Sequence, residues 1–375
     1  MNRNKVVVKP LKQGNFFIKT PDEVAEMFGF CTSARNKLKL SARMLGKEIK
    51  LSDRSLDNLS SRGISEKKAK ECLEPIISAF EERFAVDLDD LIPVGAKISD
   101  LEVLWQATFF TFLKGANFLD SKEECLKPLI MFIERRCREY KPQQRLIAKI
   151  QDCEPDDAIR HVVDFYRPII DKTMLSKVQQ AIVIDFLSQL PARKSFQLNT
   201  EETEALCLFI QDFNLSLFAA IDLVIVEMNQ QGNELKVNKG RSLLADILDA
   251  DGICYFGKLI TFIKEKTGIS YSKLAKFIPV HVKDAASGRS ISDAQKERLT
   301  EWRKGEVKPS FKALNEFFSH FDADEQFPLL VYSFICMAID KILTGFVLEN
   351  ERELLNEIYS SKYYIRYYER EMASC

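Results

Sequence analysis

With 12 prolines and 14 glycines among 375 residues, little interrupts the backbone of this chain, and long helix-compatible segments dominate it. Apolar residues recur along them at helical spacing; Leu101, Leu104, Trp105 and Phe109 mark one such core face. The pattern predicts an all-α, multi-domain protein with a central helical bundle. The length suffices for at least one sizeable core and favours two or three domains. A composition of 46% hydrophobic and 29% charged residues is ordinary for globular chains.

The expected division is a basic N-terminal helical domain (1–95, closed by Pro93 and Gly95), the central bundle (96–239), a second basic helical domain (240–322) and a C-terminal helical segment (323–375). The N-terminal domain opens with a possible short strand, Lys5 to Lys9, and a helix capped by Thr20, with Pro21 in its first turn and Glu23 closing a capping box. Central helices are expected over 101–114, 122–139, 155–170, 174–189, 201–212 and 215–229, with turns at Asn199/Thr200 and Gln230–Asn233. Helices follow at 241–249 and 254–266, and Phe321–Phe327 reads as a linker. The apolar runs Leu215–Val226, interrupted by Asp222, and Phe327–Ile339, 13 residues long, read as buried helices and not membrane spans. The aromatic tail Tyr363–Arg370 is expected to dock on the helical body. Nine scattered cysteines without a CxxC pair, and a polar N-terminus without an apolar leader, predict a cytoplasmic protein with reduced thiols.

The net charge of −1 averages over a strong pattern. Residues 1–80 carry 16 Lys/Arg against 9 Asp/Glu, and residues 256–321 carry 13 against 7. The remainder is correspondingly acidic. A basic face attracts phosphate even on a neutral protein; the alternative is that surface charges cluster by chance or solvate two small domains.

The second basic zone contains a broken helical pattern. Gly268-Ile-Ser-Tyr-Ser-Lys-Leu-Ala-Lys-Phe-Ile278 offers Ser270 as a cap, Leu274, Phe277 and Ile278 as an inward face, and Ala275 as a small residue at a helix crossing. Ser292-Asp-Ala-Gln295 is a capping box opening a helix over about 293–303, which Gly305 ends through a left-handed cap. Ser310 caps the next helix, with Phe311, Leu314 and Phe318 turned inward and Trp302 as a core plug. A capped helix after a compact turn is what insertion into the major groove requires. Gln295, Lys296 and Thr300 are the candidate base contacts, and Arg298, Arg303, Lys304 and Lys308 the candidate phosphate contacts. On these residues, 268–318 resembles the lambda-repressor-like, or Cro/C1-type, helix-turn-helix domain. The resemblance implies a sequence-specific, often dimeric, DNA-binding regulator. About 14 extra residues around Val282–Gln295 lengthen the connection between the two helices that a tight turn joins in that family.

A weaker resemblance to the same family covers 43–76. Gly46 is placed where the helices would cross, with Ile49, Leu51, Leu56 and Leu59 inward and Ser52 as a cap. Ser65 caps a third helix with Ala69, Cys72, Leu73 and Ile76 on its apolar face, which Pro75 would end or kink. Candidate base contacts are Arg54, Ser55 and Asn58; candidate phosphate contacts are Arg62, Lys67 and Lys68, with Lys70 nearby. Asp53 and Asp57 on the same helix would repel phosphate. Thr20–Phe30 also opens like a helix-turn-helix, but Arg35 stands where an apolar residue should follow.

Nothing marks an enzyme. His161, His281 and His320 have no HExxH spacing and no cysteine in zinc-like arrangement beside them. There is no glycine-rich phosphate loop and no GxSxG elbow. Glu134 with Arg135, Arg136 and Arg138 reads as a solvated helix face, and Asp156 with Asp157 as a helix start. No cofactor or metal is expected. The reading is a DNA-binding regulator whose partner is double-stranded DNA, with a homodimer or a protein partner possible. The alternative is a helical scaffold or protein-interaction module without DNA contact.

Overall fold

The structure, a computed structural model, describes residues 5–6, 18–30, 33–44, 46–84, 101, 104–106, 108, 123–140, 153–189, 198–230, 241–280, 290–345 and 349–375. Of these, 78% are helical, in 16 α-helices and one short 3-10 helix (Glu123–Leu126) with essentially no strand, so the all-α expectation holds. The chain divides into two compact units: Met1–Glu124 with Arg136–Arg138, and Cys125–Arg135 with Glu139–Cys375.

In the first unit a two-residue strand β1 (Lys5–Val6) pairs antiparallel with β2 (Ile64–Ser65). Around it lie α1 (Pro21–Met27), α2 (Ala34–Met44), α3 (Asp53–Ser61) and α4 (Glu66–Phe84). The expected capping box starts α1: Thr20 Oγ1 accepts from Glu23 N at 3.1 Å and Glu23 Oε2 accepts from Thr20 N at 2.8 Å. Ser52 caps α3 as expected. Leu59, Ile64 and Ala69 form a buried cluster against which Leu38 and Leu51 pack. Trp105 is buried, and its indole N–H donates to the Lys19 carbonyl at 3.0 Å. One expectation fails and another is narrowed. Gly46 is not a helix crossing; it is exposed at φ +63° with open space around it, and it turns the chain after α2. Pro75 does not end its helix, because α4 continues to Phe84. Pro75 and Glu71 are both exposed, so the carbonyl that the ring deprives of its partner is left facing water.

The second unit holds α5 (Lys127–Tyr140, apart from Arg136–Arg138), α6 (Pro155–Ile170), α7 (Lys177–Gln189), α8 (Thr200–Gln230), α9 (Leu243–Asp249) and α10 (Tyr255–Thr267). It continues with α11 (Tyr271–Ala275), α12 (Ile291–Lys304), α13 (Phe311–Phe318), α14 (Ala323–Thr344), α15 (Glu349–Ile358) and α16 (Ser361–Ser374). Its spine is α8, 31 residues and about 47 Å long at 1.5 Å per residue. The two helices expected over 201–212 and 215–229 are this one element. Its polar middle needs no break: Asn214 Nδ2 donates to Gln211 Oε1 at 2.7 Å, and Ser216 Oγ donates to the Asp212 carbonyl at 2.7 Å. The turn expected at Asn199/Thr200 is the helix start, where Asn199 and Glu202 cap each other reciprocally at 2.8 and 3.1 Å.

Helices α7 and α16 pack along α8, α9 packs on α16, and α10 packs on α14. The aromatic tail docks as expected, with Tyr364, Tyr367 and Tyr368 buried. Arg135 leaves the supposed solvated face, and its Nη2 donates to both carboxylate oxygens of buried Glu371 at 2.9 and 2.7 Å. The linker expected at Phe321–Phe327 is absent: Phe321 is buried, and α14 begins immediately after Asp322.

The deepest polar group of the unit is Asp222, which the sequence presents as an interruption of an apolar run. Its carboxylate accepts from Ser242 Oγ at 2.6 Å, Tyr332 Oη at 2.6 Å, Tyr364 Oη at 3.1 Å and Leu244 N at 3.3 Å. It therefore ties α8 to the start of α9, to α14 and to α16. Burial pushes its pKa up to about 6 against these four donors. By length and composition α8 and α14 could each cross a membrane; within the fold 89% of the apolar window of α8 and 50% of that of α14 are buried.

Candidate nucleic-acid interface

The helix-turn-helix candidate of the second unit is built from α10 to α13. Helix α10 ends at Gly268, left-handed at φ +67°, and two residues later Ser270 caps α11, its Oγ accepting from Lys273 N at 3.4 Å. Leu274, Ala275 and Ile278 are buried, and Phe277 stacks on His320 at 4.6 Å. Helix α12 starts earlier than its sequence indicates. Its cap is Ser290, whose Oγ accepts from Asp293 N at 3.1 Å, and Ser292 lies inside the first turn. Ser290-Ile-Ser-Asp293 places an acid at the third helical position, where it favours the helix N-terminus; Gln295 lacks that charge. Residues 281–289 of the lengthened connection lie outside the described residues.

Leu299 and Trp302 anchor α12, and the Trp302 ring meets Phe256 and Phe317 edge-on. Gly305 ends the helix at φ +74°, as expected. The close crossing occurs at Gly257, where a Cβ would sit 2.3 Å from the Arg303 carbonyl oxygen. The start of α10 is held unusually: Asp340 of α14 accepts from the amides of Tyr255 at 2.8 Å and Phe256 at 3.0 Å, and Cys254 Sγ accepts from Gly257 N at 3.2 Å. Gly257, Asp340 and Cys254 carry no local signal in sequence. Their partners lie about 50 to 85 residues away, except for the short Cys-to-Gly cap. Ser310 caps α13 and Leu314 and Phe318 are buried as expected, but Phe311 is 55% exposed, its ring stacked on Phe334. Its spacing puts it in line with Leu314 and Phe318, but it is the first residue of α13, at the end of that stripe.

The predicted contacts separate in the structure. Lys296, Thr300 and Lys304 share an exposed stripe of α12 with Asp293 and Glu297. Lys296 lies 4.0 Å from Asp293, Lys304 lies 3.6 Å from Glu306, and Thr300 Oγ1 donates to the Lys296 carbonyl. Gln295 is turned the other way: its amide donates to the carbonyls of Lys276 at 3.2 Å and Ile278 at 3.0 Å, so it fastens α12 to the turn after α11. Arg298 pairs with Glu301 at 3.2 Å. Arg303 lies over the Tyr271 ring with its guanidinium carbon 3.8 Å from the centroid, a packed cation and not an outstretched one. Lys308 is exposed beyond the turn. Two lysines that the sequence reading passed over, Lys273 and Lys276 on and after α11, are exposed and have no ion-pair partner among the described residues.

In the first unit Arg54 and Arg62 are exposed, while Ser55 and Asn58 are half-buried on α3. The two acids of that helix are taken by α2: Arg35 lies 2.9 Å from Asp53 and 3.1 Å from Asp57, and Lys39 lies 2.7 Å from Asp53. The hydrogen bond from Lys39 holds the Asp53 carboxyl below its usual range. Arg35, the residue out of place in an apolar pattern, is thus the ion-pair partner of α3. Lys67 lies 3.9 Å from Glu71, and Lys68 is exposed. Among the described residues no group of three or more His, Cys, Asp or Glu is placed to hold a metal. Comparison with protein-family models, with curated proteins and with solved structures gave no match.

Proposed function

We propose that this chain is a DNA-binding regulator that meets double-stranded DNA through the α11–α12 surface of its second unit. The observation that carries the reading is the exposed stripe of α12, with Lys296, Thr300 and Lys304 outward, beside Lys273 and Lys276, which have no ion-pair partner among the described residues. An isolated helix face of this kind fits the major groove, and flanking lysines supply phosphate contacts. Lys296 and Thr300 are the base-reading candidates; Lys273, Lys276, Lys304 and Lys308 are the phosphate candidates. The α3 surface with Arg54, Ser55, Asn58, Arg62, Lys67 and Lys68 is a second candidate head. In this reading the protein is cytoplasmic and acts as an oligomer or with a protein partner.

The second reading, a helical scaffold that binds a protein, is favoured by Asp293 and Glu297 on the same stripe and by the internal pairing of Arg298 and Lys304. Salt separates the two. Binding of genomic DNA fragments should weaken steeply between 50 and 200 mM salt, and Lys273→Glu/Lys276→Glu should lower the log–log salt slope by about 2. No binding by folded wild type at low salt, or an unchanged slope in the double variant, refutes this assignment and favours the scaffold.

A further inference from the structure

Behind the C-terminal end of α12 lies a pocket of about 140 Å³, where the start of α10, the turn after α12, α14 and α15 come together. Trp302, Met337 and Leu343 give it apolar walls, and Ile253, 78% exposed, stands at its edge. Its volume is close to that of a cavity (roughly 150 Å³) that accepts one benzene ring.

The charges around it do not balance. Among the described residues Asp340 is the one carboxylate lining it, and both its oxygens are spent on the amides that open α10. Lys304 is offset by Glu306 at 3.6 Å. Lys308 and Arg352 also line the pocket, and neither has an ion-pair partner within 4.0 Å among the described residues. One of the two cations balances Asp340, whose carboxyl feels the charge of Lys308. One positive charge is left over beside an apolar wall. The Cys254 thiol also lines the pocket, and burial pushes its pKa up to about 11, so it stays protonated near neutral pH and adds no negative charge.

We propose that this pocket binds a small organic monocarboxylate, its anionic end at Lys308 and Arg352 and its apolar body against Trp302, Met337 and Leu343. A dianion would overfill the charge, and a cation would face two positive side chains. An uncharged hydrocarbon would make no use of Lys308 and Arg352. The proposal does not depend on α12 meeting DNA.

The test uses the full-length chain carrying Trp105→Phe, which leaves Trp302, a wall of the pocket, as the sole tryptophan. Benzoate is titrated against its emission, with benzamide and inorganic phosphate as comparisons. Benzoate should give a saturable change with a Kd on the order of 1 mM, the range open to so small a ligand. Lys308→Gln and Arg352→Gln should each weaken it about tenfold, with circular dichroism confirming that both variants fold. The site does not exist as described if folded protein gives no saturable response by about 20 mM benzoate. Equal affinity for benzamide would overturn the role of the charge, and equal affinity for phosphate would overturn the role of the apolar wall. Unchanged benzoate affinity in the Lys308→Gln/Arg352→Gln protein would place the ligand elsewhere.

Discussion

Replacing Asp222 tests how the second unit is held together. Asp222→Ala leaves three hydroxyls and one amide, from Ser242, Tyr332, Tyr364 and Leu244, without their acceptor in a fully buried site. An orphaned buried donor costs about 1–3 kcal/mol. The hydroxyls can rotate toward one another, so the sum falls short of four independent losses, and about 4 kcal/mol is expected at pH 7. For a unit of this size that corresponds to a fall in Tm of roughly 10 °C. Asp222→Asn keeps one oxygen acceptor and removes the buried charge, and should cost only about 1 kcal/mol.

The pH dependence follows from the raised pKa. The usual value of 3.8 is pushed up to about 6 in the fold, so the folded state holds its proton more tightly than the unfolded chain. The stability this contributes is fully present below about pH 4 and is lost as pH rises through about 6, a change of roughly 3 kcal/mol. Wild type should therefore lose ground to Asp222→Asn across that window. The assay is urea unfolding from pH 4 to 7 in a Trp105→Phe background, where buried Trp302 reports on the second unit alone. A cost below about 1 kcal/mol for Asp222→Ala would remove Asp222 as the tie between helices. A wild-type-minus-Asn difference that is flat across pH would refute burial as the source of the shift.

Three further outcomes are expected with the same unfolding assay, read for the first unit through Trp105 in a Trp302→Phe protein. Gly257→Ala should destabilise by about 3 kcal/mol, because the new methyl would meet the Arg303 carbonyl at 2.3 Å and neither backbone can yield cheaply; a near-neutral effect would mean that α10 and α12 do not cross there. Ser290→Ala should cost about 1 kcal/mol and Ser292→Ala less than half of that, and the reverse order would restore the later helix start. Arg35→Ala should cost less than about 1 kcal/mol despite contacting both Asp53 and Asp57, since these pairs are exposed, and the loss should shrink further in 1 M salt; a salt-insensitive loss of several kcal/mol would show that the pairs are not the solvated contacts described.

What was legible in the sequence is what depends on neighbours three or four residues apart. Thr20, Ser52, Ser270 and Ser310 cap the helices that follow them, Gly305 ends α12, and Trp302 is its core plug. All of these are settled within one helical turn, and so was the all-helical class. Where two local signals competed, as at Ser290 and Ser292, the sequence alone did not decide. Asp222 read as a flaw in an apolar helix because its donors come from positions 20 to 142 residues away. Gly257 looked like any helical glycine until the Arg303 backbone was brought against it. Gln295 and Arg303 looked like outward polar residues, yet one fastens α12 to the turn after α11 and the other lies on Tyr271. Hydrogen-bond partners and close approaches between distant segments exist only once the helices are packed. Tertiary structure therefore decided which polar side chains hold the fold and which are left facing solvent.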